Sequence, residues 1–518
     1  MLGKSSKKIV HPIRLYCLIG IIGFGLLIRL WGIKADLPFI YHPDEPVNLN
    51  IVHQIIRTPD LNPHFFNYPS LFFYIQSLSS FLYFVLGKIM GIFHSLGDYP
   101  SPMILGMGVG IISKPSLIIW SRFITVIFGL LSIILINKVA TEFSPQKLSG
   151  LLAALFLAIS PTNVRLSQTI TPDVYVIPFI LVTLWSALRI MNKGDQKAYL
   201  IGGISTGLAA SVKYNGAFIG LIIVGAHLVY WGKDYYKIKF FYYSLILMVL
   251  AFLLSTPFSL LDFQAFWDDF IFEANHYATG HLGMEGGAFF WYIEYLWKQE
   301  GAILILGLTD LLIAFKTKSK NIILIGLFVI LYYLFVGRLQ VRNDRTILLI
   351  TPLLCLLSAD LLSRIWKYRL SIQKTLYRRA ILVLFIMIII VSVAIPLHTL
   401  VRHRILVSDD YKERARQWLI HNIPPGSKVT LESYSPYLDP GIYQIQYLIS
   451  MIDKPWIWFR ENDQEYLIMS SQMYDRYFRE PERFADEIRQ YTFLFENYEL
   501  IYKSGTKGIG EIQVYRVK

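Results

Sequence analysis

Apolar runs long enough to cross a bilayer recur along most of this 518-residue chain, and they limit its fold more than any single motif does. About 20 consecutive apolar residues let an α-helix span the hydrocarbon core. In that solvent only helices and closed barrels satisfy their own backbone groups. Composition agrees: 54% of the residues are hydrophobic and 16% are charged, against about 25% charged in an ordinary soluble domain. The first run, Ile13 to Trp31, sits behind Lys4, Lys7 and Lys8 and includes Arg14. It has the basic flank of a signal peptide, but no small-residue cleavage site follows and its length suits a span. Further runs lie at 117–137, 148–164, 172–191, 198–212, 216–231, 239–257, 301–315, 321–336, 346–363 and 379–398. The expected fold class is therefore mainly α, a polytopic helical bundle of 11 spans. Residues 70–93 could add another, with a return through the short, Gly- and Pro-rich 99–113, giving 13 as the alternative; an interfacial helix at 70–93 is the preferred reading.

Basic residues orient the bundle. The segments 1–14, 138–147, 189–197, 232–239, 316–320 and 363–379 hold 21 Lys and Arg against three acids, and all six fall on one side if the spans alternate. That side is expected to be cytoplasmic, with the amino terminus, in a cell or inner membrane. The loops 33–116, 165–173, 258–300 and 337–345 then lie outside. The formal charge of +13 is thus a matter of topology, and no nucleic-acid partner is implied. The two cysteines, Cys17 and Cys355, lie in apolar runs and support neither a disulfide framework nor a zinc site.

From Asp409 the sequence turns polar, and its acids outnumber its bases by three. "DDYKERARQWLIHNIPPGSKVTLESY" reads as an amphipathic helix, a turn and a strand. "EYLIMSS", "YELIYKS" and "EIQVYRVK" read as strands, with a helix near 480–491. The expected organisation is a membrane domain over 1–405 and a small extracytoplasmic α/β domain over 406–518.

Several residues do not suit a passive membrane protein. Asp44 and Glu45 stand between Pro43 and Pro46 in the first outer loop. Either could cap a helix beginning at Pro46. Two carboxylates this close also make a candidate general base with a supporting partner. Asp173, after Thr171 and Pro172, could likewise serve a helix start, yet it falls on the same side as the acidic pair. Arg122, Arg165, Lys213, Arg338, Arg342 and Arg345 lie at outer span ends or in outer loops, where the positive-inside tendency disfavours them. One such residue is a snorkelling anchor; several on one face suggest an anion site, and in a membrane the obvious anion is a lipid phosphate. His42 and His64 flank the acidic loop and suit local hydrogen bonding. His276 and His281 make a weak metal pair, so no metal ligands are assigned and a divalent metal is left open as cofactor. The chain has no Walker A loop, dinucleotide fingerprint or CxxC pair.

These signals, in this order, resemble the GT-C superfamily of integral-membrane glycosyltransferases. The likeness is greatest to the protein O-mannosyltransferase-like family 39 and the aminoarabinose transferase-like family 83. "HPDEP" is similar to the acidic motif of the first outer loop. "NYPSLFFY", with Tyr68 and with Ser70 in place of a second Pro, is similar to the juxtamembrane element. "SRFITVIFGLLS" supplies Arg122, "SPTNVRLSQTITPDVYVIPF" supplies Asp173, and "GLAASVKYNGAF" supplies Lys213. "RNDRTILLITPLL" resembles the late Arg-containing element, but Thr346 follows Arg345 where an aromatic is common. The resemblance covers roughly 400 residues. It implies a polyprenyl-phosphate-linked sugar donor, an acceptor protein or glycan, and inversion at the sugar carbon. It makes Asp44 the base, with Glu45 supporting it. His42, Tyr68, Asp173 and Lys213 would bind substrate, and Arg122, Arg338, Arg342 and Arg345 the donor phosphate. A transporter or flippase for lipid-linked sugars is the main rival, expecting mid-membrane charges and repeat symmetry. A structural or polymer-export subunit is a third reading.

Overall fold

The computed structural model describes residues 12–100, 102–105, 109–280, 283–408, 410–506 and 510–517. Helix α1 (Pro12–Leu30) is followed by α2 (Asp44–Arg57) and α3 (Leu71–Ile89). The bundle continues through α4 (Ser116–Phe143), α5 (Lys147–Ile159), the short α6 (Pro161–Leu166), α7 (Val176–Lys193), α8 (Gln196–Val212), α9 (Gly220–Trp231) and α10 (Lys239–Ser255). Then come α11 (Phe258–Leu261), α12 (Phe263–Thr279), α13 (Ala288–Glu300), α14 (Ala302–Thr317), α15 (Lys320–Val336), the one-turn α16 (Asp344–Ile347), α17 (Thr351–Ser371) and α18 (Thr375–Ser408). Each expected span coincides with a helix. Among the described residues, seven helical stretches are long and apolar enough to cross a membrane: α1, α3, α4, α7, 214–237, 344–371 and 375–405. Helices α5, α10 and α15 are apolar but shorter.

Among the described residues of 99–113, the return segment of a 13-span path, strands stand in place of a helix. Strands β1 (Phe39–Ile40), β2 (Pro102–Leu105) and β3 (Val109–Ile112) form an antiparallel sheet in the order β1-β3-β2. Proline and glycine in that stretch favour turn and strand. Gly110 sits where a side chain would collide: a Cβ there would lie 2.8 Å from Cβ of Pro46. The sheet thus abuts the first turn of α2.

Helices α4, α5, α7 and α17 pack together, and α17 is buried continuously from Thr351 to Ser363. Helices α8 and α10 approach backbone to backbone, because Gly203 and Gly207, one turn apart, face the carbonyls of Ser244 and Met248. Small residues drive this kind of contact in bilayers, where apolar surface gains nothing by leaving lipid. At one end of the bundle, Glu142 holds Arg189 (3.5 Å) and Lys193 (2.6 Å), and Asn321 donates to the Phe143 carbonyl (2.9 Å). That end gathers basic loops which the charge pattern assigned to one side.

The opposite end carries the C-terminal domain. Helix α18 runs unbroken to Ser408, past the expected boundary at 405. Helix α19 (Tyr411–Asn422) leads to β4 (Lys428–Glu432), β5 (Gln444–Leu448), α20 (Trp458–Glu461), β6 (Tyr466–Ser470), α21 (Ser471–Phe478), α22 (Ala485–Asn497), β7 (Glu499–Thr506) and β8 (Gly510–Arg516). The sheet order is β5-β4-β6-β8-β7, parallel over the first three strands and antiparallel over the rest. The sequence reading missed β5, whose polar "QIQ" start hides it, and α21. Phe39 and Val109 of the small sheet, with Tyr41 just after β1, share a core with Tyr411, Ala415 and Leu438. The Lys412 ammonium lies 4.4 Å from the centre of the Tyr41 ring, and the Arg416 guanidinium 5.1 Å from that of Phe39.

Candidate active site

Helix α2 starts at Asp44, with Pro43 at the N-cap and no side-chain cap bond. The acidic pair therefore occupies the first turn, where carboxylates suit the helix dipole. This differs from a helix beginning at Pro46, and it leaves both carboxylates free to reach across the loop. They reach in different directions.

Glu45 is fully buried and accepts from Arg122 twice, Nε at 2.9 Å and Nη2 at 2.7 Å. It also accepts from the Ile170 N–H at 3.0 Å, while Asn48 donates to the Ile170 carbonyl at 2.8 Å. Burial alone would raise the Glu45 carboxyl, but Arg122 outweighs it and holds it below the usual range. Nη1 of Arg122 donates to the carbonyls of Ile33 (2.9 Å) and Ala35 (3.1 Å). One buried bidentate pair thus ties α2, α4, the turn after α1 and the turn before α7 together. Arg29 reinforces the same corner. Buried at the end of α1, it donates to the Ala158 carbonyl (2.9 Å), to Asn163 (2.6 Å) and to Ser167 (3.2 Å).

Asp44 points toward a second cluster. Arg345 bonds its Oδ2 directly, and the Tyr68 hydroxyl donates to the same oxygen at 3.3 Å. Nη2 of Arg345 lies 3.0 Å from Nε2 of His42. Asp173 takes Nζ of Lys213 at 2.6 Å on one oxygen; the other is buried, without a hydrogen-bond partner, and lies 3.9 Å from Nε of Arg345. Arg345 therefore stands between the two aspartates. Burial pushes the Asp44 carboxyl up, but Arg345 and the Tyr68 bond overcome it and keep it ionised. Burial and the neighbouring guanidinium push His42 down, so it stays neutral. Burial keeps Tyr68 protonated, able to donate. Tyr68 itself is fixed from below: Asp269 of α12 accepts the Phe66 N–H (2.7 Å) and Tyr214 donates to the Phe66 carbonyl (2.7 Å).

The sequence-predicted residues thus divide. Asp44, His42, Tyr68, Asp173, Lys213 and Arg345 form one cluster, and Glu45 and Arg122 form the brace beside it. Arg338 is exposed at the turn after α15, outside both. Arg342 pairs with Glu480 of the C-terminal domain and lines a cleft of about 1110 Å³ between the two domains, with Trp291, Tyr295, Tyr434 and Arg476. His281 lies outside the described residues, and among the described residues no three His, Cys, Asp or Glu side chains group as metal ligands. The sequence reading missed the pairing of Arg165 with Asp344, to which Tyr295 also donates (3.1 Å). Asp344 next to Arg345 was its one available signal.

Residues 103–259 match the family model described as dolichyl-phosphate-mannose-protein mannosyltransferase. That stretch contains Arg122, Asp173 and Lys213 but not the acidic pair. No curated protein sequence matches the chain. Among solved structures, ArnT from Cupriavidus metallidurans bound to undecaprenyl phosphate aligns with a TM-score of 0.54 at 13% identity, over 96% of this chain and 97% of that one. Its apo state aligns at 0.52, with the same identity and coverage. The oligosaccharyltransferase AglB from Archaeoglobus fulgidus, in complex with an inhibitory peptide and a dolichol-phosphate, aligns at 0.50 with 13% identity, over 89% of this chain and 70% of that one. The fold is of the GT-C type. The Asp44 cluster lies at the end of the bundle facing the C-terminal domain. The transporter alternative gains no support from these comparisons.

Proposed function

We propose that this chain is a glycosyltransferase that moves a sugar from a polyprenyl-phosphate donor to an acceptor at the extracytoplasmic face, with its amino terminus in the cytoplasm. The observation that carries the reading is Asp44, held ionised and half-buried beside Arg345, Lys213 and Asp173 at one end of a GT-C bundle. The acceptor hydroxyl or amine forms a bond to the anomeric carbon. The bond from that carbon to the phosphate oxygen breaks, and its electron pair leaves with the polyprenyl phosphate. Asp44 receives the acceptor's proton, and the configuration inverts. The phosphate gains one negative charge on release, and Arg345 and Lys213 are the cations at hand to receive it. His42 and Tyr68 orient substrate from the same wall.

Glu45 and Arg122 act as positioning residues in this scheme. Arg122 donates to Glu45 and to two loop carbonyls, which commits most of its N–H groups and turns it away from phosphate. The boundary between the membrane and C-terminal domains is assigned to the end of α18, and the acceptor, a protein or glycan, is assigned to the interdomain cleft.

Asp44→Asn tests the assignment in reconstituted membranes supplied with a polyprenyl-phosphate sugar. Losing about 3 kcal/mol of transition-state stabilisation slows transfer roughly 100-fold or more. Release of free polyprenyl phosphate is expected to fall with it, while insertion and folding are unchanged. Near-normal release by the variant rejects the role of Asp44.

A further inference from the structure

On the far side of Asp344 from the Asp44 cluster lies a second, smaller cavity of about 120 Å³. Its wall includes Arg165, Tyr295, Asp344, His403 and Arg404. Arg404 sits near the end of α18, packed over Gly32 in the turn after α1, and is 3% exposed. Its Nε and Nη2 have no hydrogen-bond partner, and among the described residues no carboxylate pairs with it. A guanidinium in this state is unusual, since buried charges are ordinarily paired. Snorkelling does not describe it either, because the head group is covered rather than in water.

The charge around the two sites differs. In the Asp44 cluster, Asp44 and Asp173 balance Lys213 and Arg345. In the second cavity Arg165 and Arg404 face one acid, Asp344, which leaves one positive charge in excess. Glu300, nearby in sequence, takes a bond from Ser160 (2.6 Å) and is not part of the wall. At ~30 Å³ per water the cavity holds about four waters, room enough for a tetrahedral oxyanion. Asp344 and Arg345 are consecutive, yet one serves each site, so the 343–345 turn is a common partition.

We propose that the cavity walled by Arg165, Tyr295, His403 and Arg404 is a second anion site that takes a phosphate-type oxyanion, distinct from the donor site at Arg345. Arg404 supplies Nε and Nη2 as donors, and Arg165 divides its bonds between Asp344 and the anion. The oxyanion belongs either to free phosphate or to a lipid headgroup, since the cavity lies where α1 and α18 end.

The test uses the full chain in phosphatidylcholine nanodiscs. One arm measures binding of radiolabelled inorganic phosphate; the other measures retention of radiolabelled phosphatidic acid placed in the disc. Saturable binding in at least one arm is expected. Arg404→Gln weakens it by about tenfold or more, and Arg345→Gln, which alters the donor site, retains it. Binding in the first arm identifies a free oxyanion as ligand, and binding in the second alone identifies a lipid headgroup. No saturable binding in either arm overturns the proposal, as does equal binding by the parent chain and Arg404→Gln. Loss in Arg345→Gln with Arg404→Gln unaffected also overturns it, by moving the anion to the donor site. Should Arg404→Gln fail to fold, Arg165→Gln probes the same cavity and is read by the same outcomes.

Discussion

Asp44 and Glu45 are neighbours in sequence, but their surroundings separate their roles. Asp44 is held below the usual carboxylate range by Arg345 in spite of burial. A depressed value keeps the proposed base ionised as pH falls, so kcat/KM is expected to be retained through the ordinary carboxylate pKa of about 3.9 and lost only below it. Arg345→Gln removes the cation and leaves the burial. The acid limb of the kcat/KM profile should then move to higher pH, and an unmoved limb argues against this coupling. Glu45 belongs to a buried ion pair, for which removing one partner strands the other charge. Arg122→Met is expected to cost roughly 3–5 kcal/mol of stability, and Arg122→Met with Glu45→Met less than that, read from denaturation midpoints. The sequence exposed both acids as unusual. It could not say which one faces a cavity and which is locked to Arg122, 77 residues away.

At the scale of elements, the site depends on where α2 begins. The β1-β3-β2 sheet presses on Pro46 through Gly110, and Pro46 is in the first turn of α2 with Asp44. Gly110→Val should tilt that turn. A displacement near 1 Å at a reacting group can cost ~100-fold in rate, so transfer should fall steeply while detergent-extracted protein remains monodisperse. Unchanged transfer would mean that the sheet does not set the position of α2. The apolar helices themselves were legible, because apolar length is a local property. Strands β2 and β3 were not legible, because a short apolar stretch suits strand and helix alike, and the stretch holding them was weighed only as the return of the alternative 13-span path.

At the scale of the whole molecule, the C-terminal domain is fastened to the loop after α1 and to the turn carrying Arg342. Arg342→Glu should loosen the contact with Glu480, and Glu480→Arg added to it should restore the contact. Hydrogen exchange at residues 283–287 reads both steps, because the Gly286 N–H is bonded to the Gln340 carbonyl (2.9 Å) in that turn. Within the domain, Glu432 is fully buried and its carboxyl is pushed up to about 8, against the bonds from Tyr491, Ser470 and Met451 that lower it. Its protonated form is favoured on folding. That stabilisation is complete below the unfolded value near 4.3, and it declines by roughly 1.4 kcal/mol per pH unit until about pH 8. The domain's melting temperature should therefore fall between pH 5 and 8, and Glu432→Gln should flatten that slope.

The sequence by itself determined the class, the apolar helices and the grouping of the basic loops. Each of these follows from local composition in a solvent that forbids unpaired backbone. It also marked most of the residues that later met, since a charge beside a bilayer is conspicuous. Tertiary structure decided the pairings. Arg122 turned toward Glu45, Arg345 toward Asp44, Arg342 toward Glu480, and Arg404 toward a cavity whose one acid, Asp344, is paired with Arg165. The difference is physical: hydrophobicity acts over a stretch of neighbouring residues, whereas a guanidinium's partner is chosen by the packing of helices hundreds of residues apart.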